Sequence, residues 1–271
     1  EPYDEHTGKG ILRHVIGRIG QSGWMIILVT ATEQLPHKEK WVEKLTERIP
    51  QVETIVHNVN GKRTNVILGP KNNILYGDGT ITDHIKDLQF TLSPHSFFQV
   101  NPEQTTVLYD QALAYADLKG DETVIDAYCG TGTISLFLAH KAKHVIGIEI
   151  VEPAIINARE NAKRNGYDNT EFIVADAAVE MPKLYKAGVR PDVIVFDPIR
   201  AGCKEEVLTS AAGMEPKRIV YVSCNPATMA RDIEILTHYG YKLKEVQPVD
   251  MFPMTAHVEA VALLTRSEAT Q

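Results

Sequence analysis

The fold is decided by the stretch Thr123-Val124-Ile125-Asp126-Ala127-Tyr128-Cys129-Gly130-Thr131-Gly132-Thr133. A short apolar run ends there in a tight glycine-rich turn, and a segment of helical character follows. Glycines let a ligand approach the backbone closely, and the free amides at a helix N-terminus favour an anion such as a carboxylate or a phosphate. The stretch therefore predicts a strand, a ligand-binding turn and a helix, which together form one unit of an α/β fold.

Strand-like and helix-like segments alternate on both sides of this stretch. The predicted strands are 123–127, 144–148, 171–174, 193–196 and 219–223, and the predicted helices are 103–116, 133–140, 152–165, 207–212 and 227–239. Repeated βα units predict a parallel, doubly wound sheet. Two strands in succession, 243–249 and 258–264, predict an antiparallel edge.

Residues 1–90 have a different pattern. Short strands are predicted at 12–17, 24–30, 54–59 and 65–68, separated by turn signals. A helix is predicted at 38–49, because Trp41, Val42, Leu45 and Ile49 recur at helical spacing. We therefore expect a small α+β domain over 1–90 and a larger α/β domain over 91–271.

Composition narrows the class of protein. The chain has 271 residues, a net charge of −7 and no apolar run near the roughly 18 residues that a membrane helix needs. Its three cysteines are odd in number and widely spaced, which favours neither disulfides, a metal site nor an iron–sulfur cluster, and fits a reducing cytoplasm. The start, Glu1-Pro2-Tyr3, lacks Met and a signal peptide, so we expect a fragment of a longer protein.

Acidic residues follow two further predicted strands at the same sheet edge. Glu149 ends the strand after the glycine-rich turn, where a carboxylate can accept from both hydroxyls of a ribose. Asp176 ends the next strand and can accept from an adenine amino group. The turn lacks the third glycine of the dinucleotide fingerprint, although a NAD-binding module and an ordinary strand–helix turn remain alternatives.

Two predicted strands end in residues suited to chemistry. Asp197 follows the strand 193–196, either facing a substrate or forming an Asx-type turn. Cys224 ends the strand 219–223 within Ser223-Cys224-Asn225-Pro226. An exposed thiol there is placed to act as a nucleophile, and a buried structural thiol is the alternative.

Two more segments carry candidate functional residues. Glu259 begins the last strand and is either a general base or a solvated charge. Phe97 and Phe98, followed by Gln99, can pack against a flat ligand and hydrogen-bond to it. The same segment can enter a helix, with Asn101 as N-cap and Pro102 as its first residue.

Five ordered motifs together resemble the RNA (uracil-5-)-methyltransferase family, which makes 5-methyluridine in ribosomal and transfer RNA. The matching segments are Phe97-Phe98-Gln99-Val100-Asn101, Asp126-Ala127-Tyr128-Cys129-Gly130-Thr131-Gly132, Asp197-Pro198-x-Arg200-x-Gly202, Ser223-Cys224-Asn225-Pro226-Ala227-Thr228, and Asp250-Met251-Phe252-Pro253 with His257-Val258-Glu259. The resemblance implies a Rossmann-like S-adenosylmethionine-dependent methyltransferase fold over 91–271. Residues 1–90 would then be part of the family's central domain.

The resemblance also implies roles for individual residues. Cys224 would be the nucleophile, Glu259 the general base, and Asp197 a residue that positions the uracil. Contacts to the methyl donor would be made by six residues: Gln99, Tyr128, Gly130, Glu149, Asp176 and Asp197. Substrate contacts would fall on Phe97, Phe98 and Arg200.

The implied reaction is transfer of a methyl group from S-adenosylmethionine to carbon 5 of a uridine through a covalent cysteine adduct. The implied partner is RNA, 23S ribosomal RNA in preference to uridine 54 of transfer RNA, and we expect a monomer. Ile199 stands where the family usually has a second proline, and Met254 where it often has glutamine. We expect this chain to lack the N-terminal TRAM domain of the family. A methyltransferase acting on another base atom without an adduct, and a non-catalytic RNA-binding module, remain alternatives.

Overall fold

The computed structural model describes residues 1–266 and divides the chain into two units, Glu1–Ser96 and Phe97–Gln271. The domain boundary predicted after residue 90 falls inside the strand Leu88–Leu92. This strand pairs antiparallel with Ile81–Ile85, from Ile81 opposite Leu92 to Ile85 opposite Leu88. The hairpin therefore keeps the chain in the first unit until Ser96.

The first unit contains seven elements in chain order. They are β1 (Leu12–Ile19), β2 (Trp24–Thr30), α1 (Lys38–Arg48), β3 (Val52–Val59), β4 (Lys71–Tyr76), β5 (Ile81–Ile85) and β6 (Leu88–Leu92). Strands β1 to β4 form one sheet in that order, and β5 and β6 form the separate hairpin. Helix α1 connects the parallel pair β2 and β3, while the β1–β2 and β3–β4 pairs are antiparallel.

The core of the first unit lies between α1 and this sheet. The predicted helical stripe of Trp41, Val42 and Leu45 packs against Ile26 and Ile55 of the central strands. The apolar face predicted from spacing is therefore the face that α1 turns toward the sheet.

The strand predicted at 65–68 is a loop, and strands β4 to β6 were not predicted. The side-chain amide of Asn60 donates to the carbonyl oxygens of Val66 and Ile67. Asn58 accepts from the backbone amide of Gly69. These side chains take the place of a neighbouring strand, so the segment gains its hydrogen bonds without joining a sheet.

The second unit contains a seven-stranded sheet and six helices within its described part. The elements are α2 (Pro102–Ala116), β7 (Thr123–Asp126), α3 (Thr133–Ala139), β8 (His144–Glu149), α4 (Glu152–Arg164), β9 (Thr170–Val174), α5 (Ala177–Lys186), β10 (Val193–Phe196), α6 (Glu205–Gly213), β11 (Arg218–Ser223), α7 (Pro226–His238), β12 (Tyr241–Val249) and β13 (Glu259–Arg266). Their alternation confirms the predicted α/β fold.

The strand order of this sheet is β12-β13-β11-β10-β7-β8-β9. Strands β7, β8 and β9 run outward in one direction, and β10 and β11 continue on the other side of β7. The order reverses between β7 and β10, and open α/β sheets bind ligands at such a switch point, outside the carboxyl ends of their strands.

The last two strands pair antiparallel, as predicted. However, β13 inserts between β11 and β12, so β12 alone forms that edge. This insertion matters for the site, because the first residue of β13 then lies beside the carboxyl end of β11.

Two helix starts bear on the predictions. Asn101 caps α2, with its side-chain oxygen accepting from the amide of Gln104, and Pro102 is the first helical residue. Helix α5 was not predicted, and Pro182 stands inside it, although proline usually ends a helix. Across residues 1–266, none of the helices combines the length and apolar character needed to cross a bilayer.

Candidate active site

The reactive candidates meet at the switch-point edge of the seven-stranded sheet. Phe196 at the end of β10 pairs with Tyr221 of β11, and Ser223 at the end of β11 pairs with Ala260 of β13. The register places Asp197, Cys224 and Glu259 at the adjoining positions of three neighbouring strands. Three motifs far apart in the sequence therefore share one edge of the fold.

Cys224 lies in a turn built by its own neighbours. The amide of Asn225 donates to the hydroxyl oxygen of Ser223, and the Asn225 side chain caps α7 by accepting from Ala227. Cys224 is half-buried, whereas Cys129 and Cys203 are buried. Among the described thiols, Cys224 is therefore the one open to a substrate.

Burial raises the pKa of the Cys224 thiol above its ordinary value, and the charge of Glu259 raises it further. A hydrogen bond from Arg200 acts in the opposite direction. Since the thiolate is the nucleophile, Arg200 is the group beside the sulfur that favours its reactive form.

Two carboxylates beside Cys224, those of Glu259 and Asp197, have pKa values raised by burial. Glu259 is 3% exposed, and burial raises its pKa despite the nearby positive charge of Arg200. Burial raises the pKa of Asp197 well above its ordinary value, with further contributions from Glu259 and Asp126. Within residues 1–266, neither side chain has a hydrogen-bond partner in the structure. Charges held this way cost folding free energy.

The loop between Asp197 and Gly202 is held by the Cys224 segment and α7. The carbonyl oxygen of Arg200 accepts from the Asn225 amide group at 3.0 Å and from the Thr228 hydroxyl at 3.2 Å. Gly202 has φ +79°, and a side chain there would meet the Asp232 carboxylate. The loop is thus fixed from its far side, and Ile199, in the position where the family usually has proline, is not needed to hold it.

Asp232 anchors the end of this loop. Its carboxylate is fully buried and accepts from the amide of Cys203 at 2.7 Å, from the hydroxyl of Tyr221 at 2.5 Å and from the Arg231 guanidinium. Arg231 also donates to the carbonyl of Ala201. No sequence motif marks Asp232, because only the three-dimensional packing of α7 places it under the loop.

A second pair bridges two loops at the mouth of the site. A guanidinium nitrogen of Arg200 lies 2.9 Å from Nδ1 of His257, and both side chains are exposed. This bond connects the loop after β10 to the segment that precedes β13. The predicted substrate residue Arg200 therefore lowers the pKa of the predicted nucleophile and bonds the segment before the predicted base.

Tyr109 of α2 is a further residue that the sequence analysis missed. Its hydroxyl is buried and hydrogen-bonds the Thr133 hydroxyl at 3.0 Å. Burial raises its pKa, with Asp197 next in effect. The helical period offered a signal, since Tyr109 shares the buried face of α2 with Thr105, Leu108 and Ala112.

The other side of the switch point carries the predicted nucleotide-binding residues. Gly130 has φ +54°, with open space where a side chain would stand. Glu149 accepts from the Gly130 amide at 3.3 Å and from the Val151 amide at 2.9 Å. These bonds hold the half-exposed Glu149 carboxylate beside the open backbone of the glycine-rich turn.

The remaining predicted ligand residues differ in their surroundings. Gln99 is 9% exposed, and within residues 1–266 its amide has no hydrogen-bond partner. Burial raises the pKa of Tyr128, and the nearby Cys203 raises it further. Asp176 is already engaged as the N-cap of α5, accepting from Ala178, and as the ion-pair partner of Lys204.

The predicted aromatic residues stand before α2. Phe97 is 69% exposed, and Phe98 is half-buried. Nothing in their described contacts assigns them to a ligand, so their proposed role stays a prediction.

The residues present fit a nucleoside methyl donor. An open glycine turn, a carboxylate held beside it and an unpartnered buried amide supply the space, acceptor and donor that such a ligand needs. Over the described part of the chain, His, Cys, Asp and Glu side chains do not form a group that could hold a metal ion.

Comparison with known proteins identifies the family of this chain. The family model tRNA (Uracil-5-)-methyltransferase matches residues 27–267. An uncharacterised RNA methyltransferase of Halalkalibacterium halodurans is 56% identical over 264 residues, which cover 97% of this chain and 58% of that protein. One from Clostridium acetobutylicum is 53% identical over 270 residues, covering 98% and 58%. The chain thus spans well under two thirds of these relatives.

Solved structures give the same answer. The tRNA (uracil-54, C5)-methyltransferase of Pyrococcus abyssi, solved with S-adenosyl-L-homocysteine, has a TM-score of 0.79 and 30% identity over 96% of this chain and 61% of its own. Trm5b of the same organism has a TM-score of 0.59 at 18% identity, covering 93% of this chain and 74% of its own, and shows the fold alone. On the family match and the identity to its relatives, the chain belongs to the tRNA (uracil-5-)-methyltransferase family.

Proposed function

We propose that this chain carries the catalytic site of an S-adenosylmethionine-dependent methyltransferase that modifies carbon 5 of a uridine in RNA through a covalent adduct with Cys224. The observation that carries the proposal is the meeting of one accessible thiol with two unpartnered carboxylates, the half-buried Asp197 and the buried Glu259. The family, and relatives named RNA methyltransferases, support it.

The methyl donor would be held by Gln99, Tyr128, Gly130, Glu149 and Asp197. When bound, S-adenosylmethionine supplies the methyl group that carbon 5 receives. Glu149 would accept from the ribose hydroxyls, because its oxygens keep lone pairs beyond those used by backbone amides.

Asp176 would have a smaller part in this site. Its two oxygens already accept from Ala178 and Lys204, so an adenine amino group would have to share an acceptor that is in use.

Cys224 would act first on the substrate. Carbon 5 of uracil is a poor nucleophile until a thiolate adds to carbon 6 and converts the ring to an enolate. The sulfur–carbon bond forms as the ring double bond moves its electrons toward the carbonyl. Arg200, beside the sulfur, favours the thiolate.

Glu259 would complete the reaction. After carbon 5 gains the methyl group, a base must remove its proton so that the sulfur–carbon bond breaks and the thiolate leaves. The raised pKa of Glu259 makes it a stronger base than an exposed carboxylate. Asp197 would position the ring between these two groups.

The substrate base must leave its stack to reach this edge, so we propose an unpaired or flipped-out uridine, with Phe97 and Phe98 beside it. We propose 23S ribosomal RNA as the substrate. Uridine 54 of transfer RNA is the second candidate, favoured by the likeness to the Pyrococcus abyssi enzyme. The cytoplasmic location and monomeric state stay predictions.

The test uses RNA that contains 5-fluorouridine, together with S-adenosylmethionine and this protein, on a denaturing gel. Fluorine cannot leave as a proton, so the adduct persists as a shifted band. We expect the band with wild type and with Cys129→Ala, and none with Cys224→Ala.

Running 23S ribosomal RNA and transfer RNA in parallel distinguishes the two substrates. No band with either RNA, alongside normal methylation of unsubstituted RNA, would refute the covalent mechanism. Failure to bind S-adenosylmethionine would favour a non-catalytic RNA-binding module.

A further inference from the structure

Two loops at the mouth of the site expose apolar side chains. Ile199, in the loop after β10, is 78% exposed, and Met254, in the segment between β12 and β13, is fully exposed. Both occupy positions where the family pattern has a different residue. We call Ile199 and Met254 the apolar rim.

Met254 is held in a backbone conformation that is costly for its residue type. The amide of Thr255 donates to the carbonyl of Phe252, closing a turn with Pro253 and Met254 at its centre. Met254 has φ +66°, which matches the third position of a type II turn, where glycine or asparagine is favoured. Strain of this kind concentrates at functional sites. The structure thus keeps a large apolar side chain outside, at a position that glycine would occupy at lower cost.

A hydrogen bond connects the loop that carries Ile199 to the segment that carries Met254. Arg200, next to Ile199, bonds His257, three residues after Met254, at 2.9 Å. The His257 ring also packs edge-on against Phe252 of the same turn, with ring centroids 6.3 Å apart. The rim is therefore carried by two loops that the Arg200–His257 bond links beside Cys224.

We infer that the apolar rim binds the bases of the nucleotides that flank the target uridine in single-stranded RNA. The inference rests on the proposed function, since a uridine at Cys224 places its neighbours at the mouth of the site. Unstacked bases offer flat apolar faces that bury such side chains. The Arg200 guanidinium between the two loops supplies positive charge for the connecting phosphate.

The test is a double-mutant cycle on binding. The probe is a short single-stranded RNA with a central 5-fluorouridine, and two partner RNAs each lack one of the two bases that flank that uridine. Affinity is measured by fluorescence anisotropy without S-adenosylmethionine, for wild type, Ile199→Ala, Met254→Gly and the control Ile156→Ala. Ile156 is a comparably apolar, exposed residue on α4.

Wild type and Ile156→Ala should lose about fivefold in affinity for each base removed. Ile199→Ala and Met254→Gly should bind the intact RNA about fivefold more weakly and lose less when the neighbouring base is removed. Met254→Gly should unfold no earlier than wild type in urea, because glycine relieves the left-handed conformation.

Two results would overturn the inference, and a third would separate it from the proposed function. Equal base dependence in wild type and both rim variants would show that the rim does not contact the neighbours. Self-association of the chain that both substitutions abolish would assign the rim to a second copy. Absence of a covalent adduct with the same probe and S-adenosylmethionine, in a protein that still shows the base dependence, would refute the proposed chemistry while keeping the rim.

Discussion

The two sides of the switch point treat their acidic residues differently. On the side of β7 to β9, Asp126 accepts from Ser135, Glu149 from two backbone amides, and Asp176 from Ala178 and Lys204. On the side of β10, β11 and β13, Glu259 is buried and Asp197 is half-buried, and within residues 1–266 neither has a hydrogen-bond partner. We call these the binding side and the reactive side.

The difference indicates two kinds of task. A carboxylate that neighbouring groups already orient can receive a ligand without reorganisation. A buried carboxylate without partners costs folding free energy and keeps its lone pairs and its basicity for a substrate.

The largest effect is expected from Glu259→Gln. Loss of the general base should lower the rate of methyl transfer about 10³-fold, while the free energy of unfolding rises, because a buried unpartnered charge is removed. Single-turnover assays and urea unfolding measure the two quantities. The exposed Glu234→Gln on α7 should change neither. Normal turnover in Glu259→Gln would show that Glu259 is not the general base.

Among the acids of the binding side, Asp126 is the one whose pKa is raised mainly by burial. Burial raises its pKa from 3.8 to about 6. The folded state therefore binds this proton more tightly than the unfolded state, and the associated stability is present below about pH 4 and lost as pH rises through about 6. Urea unfolding at several pH values should show that wild type loses about 3 kcal/mol relative to Asp126→Asn across this range.

Asp176 should change the stability with pH in the opposite direction to Asp126. Its hydrogen bond from Lys204 lowers its pKa, so its contribution is present above its ordinary pKa and lost as pH falls. Identical pH profiles for Asp126→Asn and Asp176→Asn, each relative to wild type, would contradict the comparison.

Asp232→Asn tests whether the reactive side depends on the support beneath its loop. Asparagine keeps an acceptor for Cys203 but weakens the bonds with Tyr221 and Arg231. Adduct formation should slow about 10²-fold through displacement of the loop. Rates are measured where circular dichroism shows the folded state. Tyr221→Phe, which removes one donor to Asp232, should lower the free energy of unfolding by about 1 kcal/mol. An unchanged rate of adduct formation in Asp232→Asn would show that the loop does not depend on Asp232.

The smallest effect separates two residues within the binding side. Glu149→Gln should weaken the binding of S-adenosylmethionine about tenfold, because an ionised acceptor for the ribose is lost. Asp176→Asn should weaken it about twofold or less, since its oxygens are already in use. Isothermal titration calorimetry measures both. The reverse order would make Asp176 the main anchor of the nucleoside.

The sequence was informative where local pattern and function coincide. Strand ends in a parallel sheet share one edge, so the order of βα units predicted that Asp197 and Cys224 lie together, whereas the role of Glu259 followed only from the family resemblance. The cap at Asn101 was also readable, because capping depends on residues close in the chain.

Long-range contacts were not readable. Asp232 and Tyr109 reach the site from helices, and neither lies in a motif whose spacing marks it. Lys204 reaches Asp176 across 28 positions of the chain. The insertion of β13 beside β11 depends on sheet pairing that periodicity does not encode, and Pro182 hid helix α5.

One measurement tests the central claim most directly: that Cys224 and Glu259 act together on carbon 5 of uracil. RNA carrying tritium on that carbon is incubated with S-adenosylmethionine and the protein, and both tritium released to water and methyl groups gained are counted. Wild type and Cys129→Ala should release tritium in step with methyl transfer, and Cys224→Ala should do neither. Methylation without tritium release, or full activity in Cys224→Ala, would contradict the account.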